Sequence, residues 1–417
     1  MTPNIDELIV DPRTYAQDEL FHRLLSEIRH EDPVHRVEVE GYTPFWLVSK
    51  HADIMEVEKQ NERFINDPLL TLTTTEALEK TKEFTGGSHL LLRTLVHMDN
   101  PDHRAYRALT QAWFMPPNLK KLDDKLSGLA REFVDKMEAK GGECDFVTDV
   151  AMWYPLRVIM TILGVDRKDE ARMLALTQEL FGAQDPDTQR GGGFDDLMAT
   201  ITDFFQFFTA LTAERRANPR DDVASVIANA TLDGKPIGDL EAMSYYIIVA
   251  TAGHDTTSST TAGGLKALIE NPDELAKLRA NPALLASAVD EMIRWVTPVK
   301  HFMRTATEDY VLRDKTIRKG DHLMMMYPSG NRDEEVFDEP FKFKVDRSPN
   351  RHLAFGYGAH LCLGQHLAKM EIKALYAELL ARFDSFEITG EHPNVQASFV
   401  SGLKRLPIRY AARPQAA

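Results

Sequence analysis

Phe355-Gly356-Tyr357-Gly358-Ala359-His360-Leu361-Cys362-Leu363-Gly364 carries one of the two cysteines in a chain of 417 residues. Glycines crowd the cysteine, and an amphipathic run, Gln365 to Phe383, follows at once. Gly356 and Gly358 predict a tight turn with positive φ or a close backbone approach. A helix starting just past Cys362 aims its free amides and positive dipole end at the sulfur, which favours a thiolate. A thiolate held in such a loop, shielded by Phe355, is a soft metal ligand. The alternative is a buried structural cysteine.

Working outward, 417 residues allow roughly two or three domains, or one large enzyme fold with a sizeable core. Hydrophobic residues make up 43% and charged residues 27%, a globular composition. Basic residues number 49 against 64 acidic ones, a net charge of -15 that argues against nucleic acid as a general partner. Cys144 and Cys362 are too few for a disulfide framework and point to a reducing cytoplasm. The first residues lack a basic region followed by an apolar run, and the longest apolar stretches, such as Tyr245 to Ala252, are too short to span a bilayer. The expectation is a soluble protein with no membrane partner.

Along the chain, 34–39 and 45–48 read as a β-hairpin and 51–59 as a short helix. Residues 66–100 read as an irregular functional segment or as short helices. Helices are expected over 103–114, 119–139 and 145–163, the last kinked by Pro155. Two more, 168–181 and 194–217, flank a glycine-rich stretch, 182–193, which reads as a mobile lid loop or a plain connection. A long helix, 240–270, is interrupted near Gly253. Asn271-Pro272 and Asn281-Pro282 each read as an N-cap with proline in the first turn. Short strands at 310–312, 316–317 and 323–327 follow, and 398–410 reads as a terminal hairpin. The fold class is mostly α with a minor β portion (about 34–50, 310–327 and 386–410) in one domain over 1–417. The cysteine helix and the long helix are the pair placed to sandwich a flat cofactor.

Three further constellations carry chemistry. Ala252-Gly253-His254-Asp255-Thr256-Thr257 lies inside the long helix, where glycine and adjacent threonines are poor formers. A threonine hydroxyl bonded to the backbone opens a groove there. With Asp255 beside it, the groove could hold dioxygen and water and deliver protons, or the kink could serve packing alone. His254 is open between an extra proton relay and a packed or solvated histidine. Glu291 and Arg294, three apart on a helix, can pair. His103 and Arg107, one turn apart, put two donors on one face for an anionic partner such as a carboxylate, or else face solvent.

The opening stretch fits F-G-x-G-x-[HR]-x-C-x-G at every fixed position. It resembles the cysteine loop of the haem-thiolate monooxygenases, the cytochrome P-450 family. The hexapeptide resembles that family's oxygen-activation motif, [AG]-G-x-[DE]-T-[ST]. Glu291 and Arg294 resemble its E-x-x-R element, which locks to Asn331-Arg332-Asp333, Phe337 and Pro340-Phe341. His103 and Arg107 resemble its H-x-x-x-R. The four come in the family's order, and the resemblance spans nearly the whole chain. Ala250 to Ser259, Phe302 to Ala306, Asn331 to Phe337 and Gly142 to Phe146 are most similar to the soluble bacterial terpineol-type members. Cys144 is then structural.

The resemblance implies a haem b (iron protoporphyrin IX) between the long central helix and the cysteine-loop helix, with O2 as co-substrate. Cys362 is implied as the axial thiolate, with Phe355 beside it. His103, Arg107, Arg304 and His360 are implied to hold the propionates, since buried charge must be paired. Thr256 would hydrogen-bond the activated oxygen, and Asp255 would relay protons for O–O cleavage. No G-x-G-x-x-G is present. Electrons are therefore implied to come from an iron–sulfur ferredoxin served by a flavin-dependent reductase, docking near Arg104, Lys120, Lys121 and Lys369. By family position the substrate pocket draws on 66–100, Ile248, Thr251, Ala252, Val299, Phe302, Phe399 and Val400. That mostly apolar lining suits a monoterpenoid or alkyl-aromatic molecule. The implied activity is hydroxylation of a small hydrophobic compound by a cytoplasmic monomer. Alternatives are an aromatic or polycyclic hydrocarbon hydroxylase of the same family, a non-catalytic haem-binding sensor, or a peroxide-driven peroxygenase. The Asp255–Thr256 pair speaks against the last two.

Overall fold

The computed structural model describes residues 4–181, 184–187 and 193–413. Of the stretch 182–193, read as a lid loop or a plain connection, residues 182, 183 and 188–192 lie outside the described residues. Helices dominate, because most segments carry an apolar stripe that must find a neighbour. They gather around the central helix, Asp239–Ala252 continued by Asp255–Glu270. Its core partners include Phe133, Tyr154, Met292 and Leu375. Small residues let these helices approach. A Cβ on Gly264 would lie 2.8 Å from Met292 Sδ and 2.9 Å from the Tyr376 hydroxyl oxygen. The Tyr376 hydroxyl then donates to Thr261 O at 2.7 Å, tying the cysteine helix, Gln365–Arg382, to the central one.

A five-stranded sheet runs in the spatial order Val34–Val37, Phe45–Val48, His322–Met326, His301–Ala306, Phe64–Ile65. The first two form the expected antiparallel hairpin. His301–Ala306, a strand not anticipated from the sequence, pairs antiparallel with His322–Met326 and sets Arg304 opposite Leu323. The segment 66–100 contains a helix, Thr75–Thr85, and a single 3-10 turn, Leu95–His97.

Three expectations are corrected. Asp145 ends a short strand, a π-turn Val147–Ala151 follows, and the helix runs Trp153–Leu163. Pro155 thus sits in a first turn, where its missing amide costs no hydrogen bond, and the break lies upstream of it. A helix does start at Pro272 with Asn271 in the N-cap position, as expected, but the Asn271 side chain makes no capping bond to it. Its amide donates to Ala267 O at 2.8 Å and closes the helix behind it. The stretch 398–410 is not a hairpin. Pro407–Ala412 pairs with Phe383–Ile388 and with Glu143–Asp145. Residues 398–404 instead lie beside the Val299 region through a single Val299–Val400 bridge. Among the described residues, no helix is long and apolar enough to cross a membrane.

Candidate active site

Gly356 and Gly358 take φ of 68° and 71°, the left-handed conformation that only glycine adopts cheaply. A Cβ on Gly358 would stand 2.4 Å from the Glu58 carbonyl oxygen, so the loop lies directly on the end of helix His51–Glu58. The Cys362 amide donates to Phe355 O at 2.9 Å and closes the loop. Arg107 Nη2 donates to Leu361 O at 2.7 Å. The amides of Gly364 and Gln365, at the start of the cysteine helix, point at the sulfur. Even so, burial pushes the Cys362 thiol up, against those amides and the Arg107 guanidinium. The helix-start amides favour the thiolate, as expected, but desolvation of the buried sulfur outweighs them. Loss of the proton is coupled to metal binding instead.

The loop is held from behind. Arg294 and Glu291, both fully buried, form a two-pronged pair at 2.7 and 2.8 Å. Arg294 Nη1 donates to Asn331 O at 2.8 Å and Pro340 O at 3.0 Å. The Asn331 side-chain oxygen accepts the Leu353 amide at 2.6 Å, two residues before Phe355. Arg347 completes the network, donating to Glu291 at 3.0 Å and to Lys342 O at 2.7 Å.

A basic cluster flanks the cysteine. The rings of His103 and His360 lie 4.0 Å apart. Asn66 Nδ2 reaches His360 at 3.2 Å and donates to Val96 O at 2.7 Å. Burial holds the His103 pKa down to about 4, with Arg107 and Arg304 adding repulsion. Burial likewise depresses His360, helped by Arg304, His103 and Arg107. Arg304 pairs with Glu58 at 3.1 Å, and Glu58 also accepts the Tyr327 hydroxyl at 2.6 Å. Two neutral imidazoles and the Arg107 guanidinium, donors beyond that pair, lie on this side of the cysteine, an arrangement that suits an anionic partner. Among the described residues, no group of three or more His, Cys, Asp or Glu could hold a metal ion. A metal at Cys362 would draw its other ligands from a macrocycle, and haem with its two carboxylates fits both features.

The central helix is broken where the hexapeptide lies, between Ala252 and Asp255. The Thr256 hydroxyl donates to Ala252 O at 2.8 Å, taking the place of ladder bonding. Ala252 is exposed and Thr256 partly so, whereas Thr251, His254 and Thr257 are buried. His254 Nε2 bonds Met152 O at 2.8 Å, and Nδ1 faces Thr177 Oγ1 at 3.0 Å and Asp255 Oδ2 at 3.5 Å. Of the two readings left open for His254, it is packed, and it is in contact with the acid. Glu371, on the cysteine helix, is buried beside Thr257, and burial raises its pKa well above the ordinary carboxyl value.

Val299, Phe302, Phe399 and Val400 come together: Val299 bridges Val400, and the rings of Phe302 and Phe399 lie 5.3 Å apart. Ile248 is partly buried. Thr251 is buried with its hydroxyl bonded to Ile247 O at 2.8 Å. Glu58, Asn66, Arg347 and Glu371 were not singled out from the sequence. Each acts through a partner far along the chain, and no local spacing marks them. Lys369 is paired with Asp290 at 2.7 Å, whereas Arg104, Lys120 and Lys121 are exposed.

The family model for cytochrome P450 matches residues 15–410. The chain is 43% identical to cytochrome P450-terp of a Pseudomonas species, covering 98% of this chain and 97% of that protein. It is 32% identical to a steroid C26-monooxygenase of Mycolicibacterium smegmatis (94% of this chain, 91% of that protein) and 29% identical to linalool 8-monooxygenase of Pseudomonas putida (95% and 97%). The crystal structure of CYP108D1 from Novosphingobium aromaticivorans superposes with a TM-score of 0.92 at 44% identity, covering 99% of this chain and all of that one. The chain therefore belongs to the cytochrome P450 family and is a haem-thiolate monooxygenase, using haem iron and O2 and related to terpene and steroid hydroxylases.

Proposed function

We propose that this enzyme hydroxylates a small hydrophobic compound, a monoterpenoid or alkyl-aromatic, with electrons supplied by a ferredoxin and its flavin-dependent reductase in the cytoplasm. Cys362 is the iron ligand, and His103, Arg107, Arg304 and His360 bind the propionates. Haem, once bound, supplies dioxygen activation and the electron-rich thiolate bond that favours O–O cleavage. The protein's part is to hold, shield and protonate. The Glu291–Arg294–Asn331–Leu353 chain holds the cysteine loop in register. Thr256 presents a hydroxyl at the helix break, and Asp255 supplies a proton from behind it. Val299, Phe302 and Phe399 offer shape and few polar groups, so substrate is oriented by packing.

The observation that carries the reading is the helix break at Asp255 and Thr256, where the Thr256 hydroxyl bonds Ala252 O at 2.8 Å; the apolar Phe302 and Phe399 are assigned to the pocket by family position. A sensor needs no proton delivery, and a peroxide-driven enzyme needs no acid–alcohol pair. The relatives' names favour a terpenoid, and an aromatic hydrocarbon would suit the same lining. The exposed Arg104, Lys120 and Lys121 are the basic groups offered to an acidic ferredoxin. The test is product formation from a panel of monoterpene alcohols and alkyl-benzenes with ferredoxin, reductase and NADH, against hydrogen peroxide alone. Product from peroxide only, or from neither, would overturn the reading.

A further inference from the structure

His301 lies on the strand His301–Ala306 and is fully buried. Side chains alternate along a strand, so it points to the face opposite Phe302. Its ring is bonded on both sides. Leu72 donates its backbone N–H to Nε2 at 2.9 Å. Nε2 must therefore carry the lone pair, which leaves the proton on Nδ1. Nδ1 then donates to Ser398 O at 3.0 Å. Burial holds the ring's pKa down to about 4, in keeping with a neutral ring between one donor and one acceptor.

The bonded segments are distant in sequence, 229 and 97 residues from His301. Leu72 belongs to the 66–100 segment. Ser398 precedes Phe399, whose ring lies 5.8 Å from His301 and 5.3 Å from Phe302. One backbone bond already ties the strand region to each: Met303 N–H to Leu70 O at 2.7 Å and Lys300 N–H to Phe399 O at 2.8 Å. The Ser398 amide and hydroxyl also donate to Gln184 Oε1, at 2.9 and 3.2 Å.

We propose that His301 is a positioning residue for substrate selection, a clamp that ties the 66–100 segment at Leu72 and the Ser398–Phe399 segment to the strand carrying Phe302, so that Phe302 and Phe399 keep a fixed relation. This rests on the reading of Phe302 and Phe399 as pocket wall. An aliphatic residue would fill the volume and leave one buried donor and one buried acceptor unpaired, which loosens both attached segments. The clamp acts through the segments it holds, because the ring is fully buried and both its nitrogens are engaged by backbone.

The test uses the holoenzyme and His301→Leu. Hydrogen exchange is followed on peptides covering 69–74 and 396–400. Binding of imidazole and of phenylimidazole is followed by the absorbance change as the ligand nitrogen reaches iron. Imidazole is too small to need the wall, and phenylimidazole must fit against it. In the wild type, the Leu72 amide should exchange as slowly as the core strand His322–Met326. In the variant, both peptides should lose protection, and the phenylimidazole-to-imidazole affinity ratio should change by roughly tenfold. Tyr246→Phe removes another buried hydrogen bond, to Ala224 O at 2.8 Å, and should leave that ratio within about twofold. If wild-type Leu72 exchanges like an exposed loop amide, or stays protected in the variant, the clamp is overturned, and the wild-type arm decides this even where the variant does not fold. If protection is lost and the ratio does not move, the wall reading fails, and the selection role with it.

Discussion

His254 Nδ1 stands 3.5 Å from Asp255 Oδ2, and the hydrogen bonds around the ring determine its charge. Nε2 meets the Met152 carbonyl, an acceptor, and so carries a proton. The Thr177 hydroxyl lies 3.0 Å from both Leu174 O and Nδ1 and can serve either. A protonated ring would meet the Met152 carbonyl on one side and the Asp255 carboxyl on the other. Burial opposes that charge, but Asp255 and the Met152 carbonyl outweigh it, and the His254 pKa is raised.

A raised pKa stabilises the fold below the unfolded value of 6.5, and the contribution disappears as pH climbs through the folded one. His254→Gln should therefore cost roughly 1–3 kcal/mol at about pH 6 and clearly less at about pH 9. Urea unfolding of wild type and variant at the two pH values checks this. A gap that does not depend on pH would mean a neutral ring.

Thr256 sits where its hydroxyl can leave Ala252 O for a ligand in the groove, and Asp255 is tethered one residue away. Thr256→Ala should keep NADH consumption and divert it to peroxide. Product per NADH should fall by up to about a hundredfold, the low end of what a placed proton donor contributes. Asp255→Asn should slow NADH consumption itself, since proton supply limits turnover. The check is parallel measurement of NADH, peroxide and product. Unchanged coupling in Thr256→Ala would contradict its role.

Local spacing made the cysteine loop, the hexapeptide, Glu291–Arg294 and His103–Arg107 legible, because each is a motif within one turn or one helix. Arg304 was legible only through resemblance, and its partner Glu58 lies 246 residues away. Asn66 likewise reaches His360 across 294 residues. The strand His301–Ala306 was missed because His301, Met303, Arg304 and Ala306 are not strong strand formers. It is buried almost throughout, so the alternation that marks a half-exposed strand is absent. The misplaced terminal hairpin has a similar origin. Alternation over 398–410 is real, but 398–404 serves the wall near Val299, and only Pro407–Ala412 belongs to a sheet.

Glu291 pairs with two buried guanidiniums, Arg294 and Arg347. Removing it in Glu291→Ala leaves both charges buried and unpaired, at a cost of about 3–5 kcal/mol, a large part of an ordinary domain's stability. Glu291→Gln keeps the shape and some hydrogen bonds and should cost less. The loss should first appear as unanchored cysteine loop, through Asn331 and Leu353. Purified Glu291→Ala should carry haem at a small fraction of the wild-type ratio, read from absorbance per protein. Alkylation of Cys362 should rise in step.

The two loop glycines predict a graded response. Both have positive φ, so an alanine at either costs roughly 1–2 kcal/mol of backbone strain. At Gly356 that is the whole cost, since the nearest atom to an added Cβ is Glu58 Oε1 at 3.7 Å, an ordinary contact. At Gly358 the added Cβ meets the Glu58 carbonyl oxygen at 2.4 Å, and a backbone atom cannot rotate aside. The loop must then lift from the helix His51–Glu58 and take Cys362 with it. Gly356→Ala should retain most of its haem and the red-shifted carbon monoxide band of a thiolate-bound iron. Gly358→Ala should lose the band, in part or altogether, to the form without thiolate. Equal behaviour of the two variants would show that conformation alone, and not the contact with Glu58, sets the position of the sulfur.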